Sequence, residues 1–236
     1  MSAPSLNPVR VILVDDHAVV REGYRRLLER TADIAVIAEA ASGEDAYRLA
    51  CDLQPDVTIM DINLPGLGGI EVVRRLVARM PEAKVLMFSM HEDTVFSSRA
   101  LQAGARGYVT KSAAPEVLVE AVRLVAQGKL YISHEMAQEL ALQMLPGRSN
   151  PIDALSAREF EVFRLLVAGH ALQEIARLLC LSYKTVANYQ SSIKHKLDVS
   201  NTAQVVRLAL SHGLLASGAE SDNPDVDAVE GKGRGA

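Results

Sequence analysis

Acidic, hydroxyl and basic side chains recur where apolar runs in the first half of the chain end. Two adjacent aspartates, Asp15 and Asp16, follow the run VRVILV, and Asp61 follows the run VTIM. Ser89 ends a third run and Lys111 follows a fourth. Carboxylates at this density suit Mg2+, which is held by one or two of them and accepts phosphate oxygens as further ligands. With a lysine and a hydroxyl nearby, the set predicts phosphoryl transfer to a carboxylate, with Asp61 as the nucleophile.

Alternating strand and helix patterns place these residues together. Apolar runs typical of strands covered on both faces alternate with amphipathic helical segments. The predicted strands are 9–14, 34–40, 57–60, 84–89 and 107–110, and the predicted helices are 18–29, 43–53, 70–78, 93–102 and 115–126. This alternation predicts an α/β fold with a parallel sheet and right-handed crossovers. Because function gathers at the carboxyl edge of such a sheet, one crevice is expected to contain the whole set.

A simpler interpretation exists for each residue alone. The aspartate pair could cap the helix that starts near His17, and Lys111 could form a solvated ion pair. His17 on the rim is better explained as a helix-start residue than as a metal ligand. Three nearby glycines lack the GxxxxGK[ST] spacing of a phosphate loop, so turn geometry explains them better. The ordered recurrence at strand ends favours the phosphoryl site.

The second half of the chain is predicted to be all helical. One amphipathic helix spans 133–145, and the turn-rich linker PGRSNP follows. Four short helices come next: one after a capping box of Ser156 and Glu159, one at 174–180, one from Ser182 to about Leu197, and one at 202–211. The polar tail is predicted to be disordered.

The third of these short helices carries the features of a groove-reading helix. No acidic residue occurs between Ser182 and Leu197, although the chain as a whole has a net charge of −4. Such a helix needs basic and hydroxyl groups for phosphates and amides for base edges. Charge alone does not distinguish such a helix from a plain helical bundle with one solvated cationic face.

The strand-end residues resemble the receiver domain of response regulators over about residues 9–127. The resemblance rests on Asp15-Asp16, on Asp61 followed by NLPG, on Ser89, and on Tyr108 with Lys111. It implies a flavodoxin-like (βα)5 fold with a parallel five-stranded sheet, and phosphorylation of Asp61 by a sensor histidine kinase. It also implies Mg2+ bound by Asp16, Asp61 and the Asn63 backbone carbonyl, with Asp15 acting through water. Ser89 would move toward the phosphate, Tyr108 would turn inward, and Lys111 would pair with the acyl phosphate.

Two positions depart from the receiver pattern. Met90 follows Ser89 where the family usually has a small residue, and its bulk is expected to narrow phosphodonor access or slow hydrolysis. Ser112 follows Lys111 where the family often has proline, so no cis-proline is expected.

The helical half resembles the LuxR-type four-helix DNA-binding domain. The sequence motifs that carry this resemblance are "LS…E", "EIA..L", "S..TV" and "I..KL". Together the two halves resemble a NarL/FixJ-type regulator with a helix-turn-helix output domain. The implied DNA-binding residues are Lys184, Thr185, Ala187, Asn188, Ser191 and Lys194, with the first two on phosphates and the next three facing bases. The implied dimerisation residues are Thr202, Val205, Val206 and Ala209. Ala187 and Tyr189 depart from the pattern, so base specificity cannot be copied from relatives.

The expected organisation is a receiver at 7–128, a helical linker at 129–152, a DNA-binding domain at 153–216 and a disordered tail at 217–236. The expected function is a phosphorylation-activated transcriptional regulator, not an enzyme, that binds double-stranded DNA and forms a homodimer on phosphorylation. Receiver dimerisation and release of a masked recognition helix are both left open as the readout. No membrane-length apolar run or signal peptide occurs, and two cysteines without CxxC spacing indicate a reducing, cytoplasmic setting.

Two rival functions follow from particular residues. A signalling relay whose helical domain binds protein is suggested by the departures at Ala187 and Tyr189. An aspartate-based phosphatase would need a second acid two residues after Asp61, where the chain has Asn63.

Overall fold

The computed structural model describes residues 7–90, 94–143 and 150–211. Five parallel strands form one sheet in the order β2-β1-β3-β4-β5. The strands are β1 (Val9–Val14), β2 (Ile34–Ala40), β3 (Val57–Met60), β4 (Val85–Ser89) and β5 (Gly107–Thr110). The helices between and after them are α1 (Ala18–Glu29), α2 (Gly43–Leu53), α3 (Gly69–Arg79), α4 (Thr94–Gln102) and α5 (Pro115–Ala126). The predicted α/β fold is confirmed, and the bounds agree within one residue.

Alternate residues of each strand enter two separate cores. Val11 and Leu13 of β1 face the core that α1 and α5 cover, whereas Ile12 and Val14 face the core beneath α2, α3 and α4. This period of two follows from the pleat of a strand. Both faces are buried, so the polar residues that end each strand can only gather at the carboxyl edge.

The C-terminal part is helical. It contains α6 (His134–Gln143), a 3₁₀ turn (Pro151–Ala154), α7 (Ala157–Val167), α8 (Leu172–Leu178), α9 (Tyr183–Lys196) and α10 (Thr202–Ser211). The predicted bounds of the second short helix, 174–180, are wrong by two residues at each end, since α8 begins at Leu172 and ends at Leu178. The helix cannot continue to Cys180 because the chain turns there with a φ of +53°. Residues 144–149, which include the end of the predicted helix 133–145 and most of the segment PGRSNP, lie outside the described residues. Residues 212–236, which include the predicted tail, also lie outside them. No helix in the described ranges is long and apolar enough to cross a membrane.

The start of α7 is fastened to the end of α9. Ser156 and Glu159 form the predicted capping box. The buried Glu159 carboxylate also accepts hydrogen bonds from the Ser192 hydroxyl at 2.6 Å and from Lys196 Nζ at 2.7 Å. Burial opposes the charge of Glu159, but these donors outweigh it and lower its pKa to about 2. The start of α7 is therefore tied directly to the end of α9.

The core beneath α2, α3 and α4 continues into the helical domain. The rings of Phe96 in α4 and Phe160 in α7 meet edge to face with centroids 5.2 Å apart. The Arg99 guanidinium lies 4.2 Å from the centroid of the Phe160 ring and donates to the backbone carbonyls of Leu155, at 2.9 Å, and Ile152. The two halves of the chain are thus packed against each other through α4 and α7.

Candidate functional site

Strand register places two buried aspartates side by side. Val14 at the end of β1 lies opposite Met60 at the end of β3, and each strand continues into an aspartate. The Asp61 backbone N–H donates to the Val14 carbonyl at 3.0 Å. Asp15 is 2% exposed and Asp61 is 3% exposed. The predicted convergence at the carboxyl edge is therefore present.

Lys111 bridges the two carboxylates. Its Nζ lies 2.6 Å from Asp15 Oδ2 and 2.7 Å from Asp61 Oδ2. Pairing of β4 with β5 carries it there, because its backbone N–H donates to the Ser89 carbonyl at 2.7 Å. The Lys111 side chain is only 6% exposed, which rules out the solvated ion pair of the simpler interpretation.

Burial and charge act against each other in this group. Burial raises the pKa of the Asp61 carboxyl, and Lys111 offsets that rise only in part. For Lys111, burial opposes the charge, but Asp61 and Asp15 outweigh it and raise its pKa. Two buried carboxylates share one ammonium, so the crevice retains negative charge that a further cation would neutralise. This donor set fits a hard divalent ion such as Mg2+.

Asp16 lies on the rim, apart from the lysine bridge. It is one-third exposed, and its Oδ1 is 2.7 Å from His17 Nδ1. The Asp15 Oδ1 atom accepts the backbone N–H of His17 at 2.8 Å, so Asp15 also serves the start of α1. Ligand atoms of Asp15, Asp16 and His17 all lie within 4.8 Å of one another. The rim can therefore offer carboxylate oxygens to an ion beside the lysine bridge.

The predicted switch residues are both buried. Ser89 is fully buried at the end of β4, and Tyr108 is 1% exposed inside the core beneath α4. Met90, in contrast, is 63% exposed and lines a surface opening with Asp61 and Lys111. The bulky residue after Ser89 thus stands at the entrance.

Three supporting residues escaped the sequence prediction. Arg21 Nη1 donates to the Asp15 backbone carbonyl at 2.6 Å, and the Tyr24 hydroxyl donates to the Lys111 carbonyl at 3.4 Å. Gly69 packs so close to Asp61 that a Cβ there would lie 1.9 Å from the Asp61 carbonyl oxygen. The consecutive glycines at 68 and 69 were the available signal for this close approach.

The second predicted site lies on α9. Val186 and Ile193 are buried and hold the helix against α7 and α8. Of the predicted DNA-binding residues, Lys184, Asn188 and Ser191 are exposed, whereas Thr185, Ala187 and Lys194 are partly exposed. Tyr189 packs against the apolar core, so its departure from the family pattern concerns packing. Lys196 is already paired with Glu159. The other two lysines of α9, Lys184 and Lys194, are therefore the ones available to bind an anion.

The predicted dimerisation residues divide into two groups. Val205 and Ala209 are fully buried inside the helical domain, where α10 packs on α7. Thr202 and Val206 are partly exposed. The α10 surface open to a second copy is therefore narrower than the sequence predicted.

Comparison with known proteins adds a family context. The family model for the response regulator receiver domain matches residues 11–123, and that for bacterial regulatory proteins of the luxR family matches residues 153–209. Response regulator GacA of Pseudomonas aeruginosa is 40% identical over 209 residues, which cover 88% of this chain and 98% of that protein. Response regulator UvrY of Escherichia coli is 38% identical over 208 residues, with coverage of 87% and 95%.

Solved structures of similar architecture cover the chain to different extents. RcsB from Salmonella enterica serovar Typhimurium, bound to promoter rprA in the presence of the phosphomimetic BeF3−, matches with a TM-score of 0.63 and 26% identity. The match covers 86% of this chain and 98% of that one. A LuxR-family two-component response regulator from Aurantimonas is 47% identical with a TM-score of 0.56, and covers 58% of this chain and 98% of its own.

Proposed function

The chain belongs to the response regulators that join a receiver domain to a LuxR-type DNA-binding domain, and we propose that it switches transcription by accepting a phosphoryl group on Asp61. It is a transcriptional regulator of a two-component system, so a sensor histidine kinase is the phosphodonor. The observation that carries the assignment is the buried Lys111 ammonium, shared at 2.6 and 2.7 Å between Asp15 and Asp61.

The transfer proposed is a direct displacement at phosphorus. An Asp61 carboxylate oxygen forms the new P–O bond while the P–N bond to the kinase histidine breaks, and the imidazole leaves with a proton from solvent. Lys111 then pairs with the acyl phosphate. Stabilising this charge and positioning the groups do most of the work in phosphoryl transfer.

Mg2+ is the cofactor proposed for the crevice. Asp16, Asp61 and the Asn63 backbone carbonyl would hold it, with Asp15 acting through water. When bound, the ion supplies charge neutralisation for the transferred phosphoryl oxygens. The excess negative charge of the two buried carboxylates over one lysine supports this proposal.

Ser89 and Tyr108 would report the phosphate to the rest of the receiver. We propose that the Ser89 hydroxyl donates to a phosphoryl oxygen and that Tyr108 holds its buried position beneath α4 when it does so. Phosphate thereby shifts an existing equilibrium between two surfaces of the receiver. Burial of both side chains supports this route.

On DNA, α9 would lie in the major groove. Lys184 and Thr185 would contact phosphates, and Lys194 would add positive charge. Asn188 and Ser191 would reach base edges, whereas Ala187 offers only an apolar contact such as a thymine methyl. A homodimer on phosphorylated receivers, with Thr202 and Val206 of α10 near the pairing surface, would supply affinity that a single helix lacks.

The deciding experiment is DNA capture from a genomic library in Mg2+, with and without a small acyl phosphate donor. The wild-type chain is expected to enrich a defined duplex when phosphorylated. Asp61→Asn is expected to lose the response, because an amide cannot form the acyl phosphate. Asp52→Asn, at an exposed position of α2, is the matched control.

Two results would contradict the proposal. If Asp61→Asn still responded fully to the donor, the phosphoacceptor assignment would be wrong. If no duplex were enriched even at low salt, where lysine contacts to phosphates are strongest, a relay that binds protein would be favoured instead.

A further inference from the structure

The DNA-binding domain contacts the loop that leaves Asp61. Arg158 of α7 donates through Nη1 to the Gly66 carbonyl at 2.9 Å, and the Gly66 N–H donates to the Leu178 carbonyl at 3.4 Å. Glu161 approaches Gly68 so closely that a Cβ there would lie 1.8 Å from Glu161 Oε1. A phosphoryl group on Asp61 would therefore border the same loop that the other domain contacts.

This contact leaves the DNA-reading side chains open. Lys184, Asn188 and Ser191 remain exposed while α7 is docked on the receiver. Tyr108 also lies inside the receiver in this arrangement. The contact therefore does not cover these side chains of α9.

Arg164 is a cation at the contact with no carboxylate partner within ion-pair distance in the described part of the chain, and it differs from Arg99, whose guanidinium donates to the carbonyls of Leu155 and Ile152. Arg158 pairs with Glu161 at 2.5 Å, and Glu71 on the receiver side is paired with two arginines of its own helix. Arg164 of α7 has no carboxylate within 4 Å among the residues that the structure describes. Burial lowers the pKa of its guanidinium, whereas the charges of Glu161 and Asp61 raise it.

Arg164 also lies close to the phosphoacceptor strand end. It lines a small cavity between the domains together with Ile62, the residue after Asp61, and with Phe160 and Arg99. Phosphorylation of a carboxylate adds up to about two negative charges. Arg164 is only partly exposed, so the added charge attracts the guanidinium more strongly than it would at a fully exposed surface.

We propose that phosphorylation of Asp61 tightens the docking of the DNA-binding domain through Arg164, which fixes α9 in an outward orientation. The inference rests on the proposed function, and it states that phosphorylation strengthens the contact between the two domains. By linkage, docking and occupancy of the phosphoryl site favour each other by the same factor. The sign of that coupling distinguishes tightening from release.

The test is the affinity of the full chain for beryllofluoride, a phosphoryl mimic, in excess Mg2+, measured by titration calorimetry. Arg164→Met keeps most of the side-chain volume and removes the charge. It is expected to weaken beryllofluoride binding about fivefold, a coupling at the lower end of those seen between linked sites. Arg177→Met, at an exposed arginine of α8, is the matched control and should leave the affinity unchanged.

Tighter or unchanged beryllofluoride binding by Arg164→Met would overturn the inference, since tighter binding is what release on phosphorylation requires. If the wild-type chain bound no beryllofluoride at all, the proposed function would fail, and the inference with it. If the wild-type chain bound beryllofluoride and Arg164→Met bound it with the same affinity, the docking inference alone would be wrong and the proposed function would stand.

Hydrogen exchange gives a second readout that does not depend on Arg164→Met being well folded. In the wild-type chain, beryllofluoride is expected to slow exchange in segments 62–68 and 157–167 together. Faster exchange in 157–167 would overturn the inference. Arg158→Gln, which removes the donor to the Gly66 carbonyl, is expected to reduce the protection of both segments.

Discussion

The crevice at the sheet edge and the exposed face of α9 use charge in opposite ways. In the crevice, Lys111 lies under 3 Å from two carboxylates and is nearly excluded from water. On α9, Lys184 and Asn188 are exposed, and only apolar residues beneath them are fixed by packing. A buried charge depends on its partners, whereas an exposed charge acts almost independently of its neighbours.

This difference teaches where substitutions should be severe. Removing one member of a buried group leaves the others uncompensated, so the effect appears in stability as well as in function. Removing an exposed lysine should change affinity for DNA and its salt dependence, but hardly the fold.

The largest effect is expected for Lys111→Met. Without the ammonium, two adjacent carboxylates stay buried with no counter-charge, and the unfolding free energy of the receiver should fall by about 3 kcal/mol. Urea unfolding in a chelator, followed by circular dichroism, measures the loss, and added Mg2+ should restore more stability to the variant than to the wild type. Lys129→Met, at an exposed position, is the control. An equal loss of unfolding free energy in both variants would contradict the contrast between buried and exposed charges.

Glu159→Gln should produce the next largest effect. The pKa of Glu159 is lowered from 4.5 to about 2, so its contribution is complete above pH 4.5 and is lost as the pH falls toward 2. At neutral pH the variant should lose about 1–2 kcal/mol, measured by calorimetry of the DNA-binding domain transition in the full chain. Its stability should also fall less between those two pH values. Glu139→Gln serves as control, and an unchanged acid profile in Glu159→Gln would contradict the tie between α7 and α9.

Lys184→Ala should weaken DNA binding without altering stability. Loss of one phosphate contact is expected to cost about 1 kcal/mol, or roughly fivefold in affinity, and to reduce the salt slope by about 1. Fluorescence anisotropy with the captured duplex at several salt concentrations measures both quantities. A drop in affinity with no change of slope, or an equal drop in Lys129→Ala, would show that Lys184 does not face a phosphate.

Met90→Ala should have the smallest effect. The side chain is exposed at the entrance to the crevice, so stability should change by less than about 0.5 kcal/mol. Phosphate uptake from a small acyl phosphate should accelerate about twofold, which corresponds to about 0.4 kcal/mol in the barrier. Val19→Ala, at another exposed residue that lines the same opening, is the control. Slower phosphate uptake by Met90→Ala would mean that the methionine assists donor binding.

The receiver sheet was predictable because its signals are redundant. Strands β1, β3 and β5 are short, mostly apolar runs, and each is followed at once by a charged residue that cannot stay inside the sheet. The rule that parallel strands end at one edge was therefore enough to bring Asp15, Asp61 and Lys111 together. The capping box was predictable for a similar reason, since Ser156 and Glu159 satisfy each other locally.

Other features had no comparable signal. Arg99 and Arg158 hold the two halves together by donating to backbone carbonyls, which every residue possesses. Asp16 pairs with His17 because of side-chain rotamers at a loop. Val205 and Ala209 look like a pairing stripe in sequence, but α10 is short and its apolar side already packs on α7.

Neighbouring residues at the start of α7 serve two different distant elements. Arg158 donates a hydrogen bond to the receiver loop after Asp61, and Glu159 forms an ion pair with Lys196 at the C-terminal end of α9. Consecutive positions on a helix point about 100° apart and are joined by one stiff peptide unit. We therefore expect a tilt of the loop to be transmitted through α7 to α9, so that the orientation of α9 follows the backbone geometry beside Asp61.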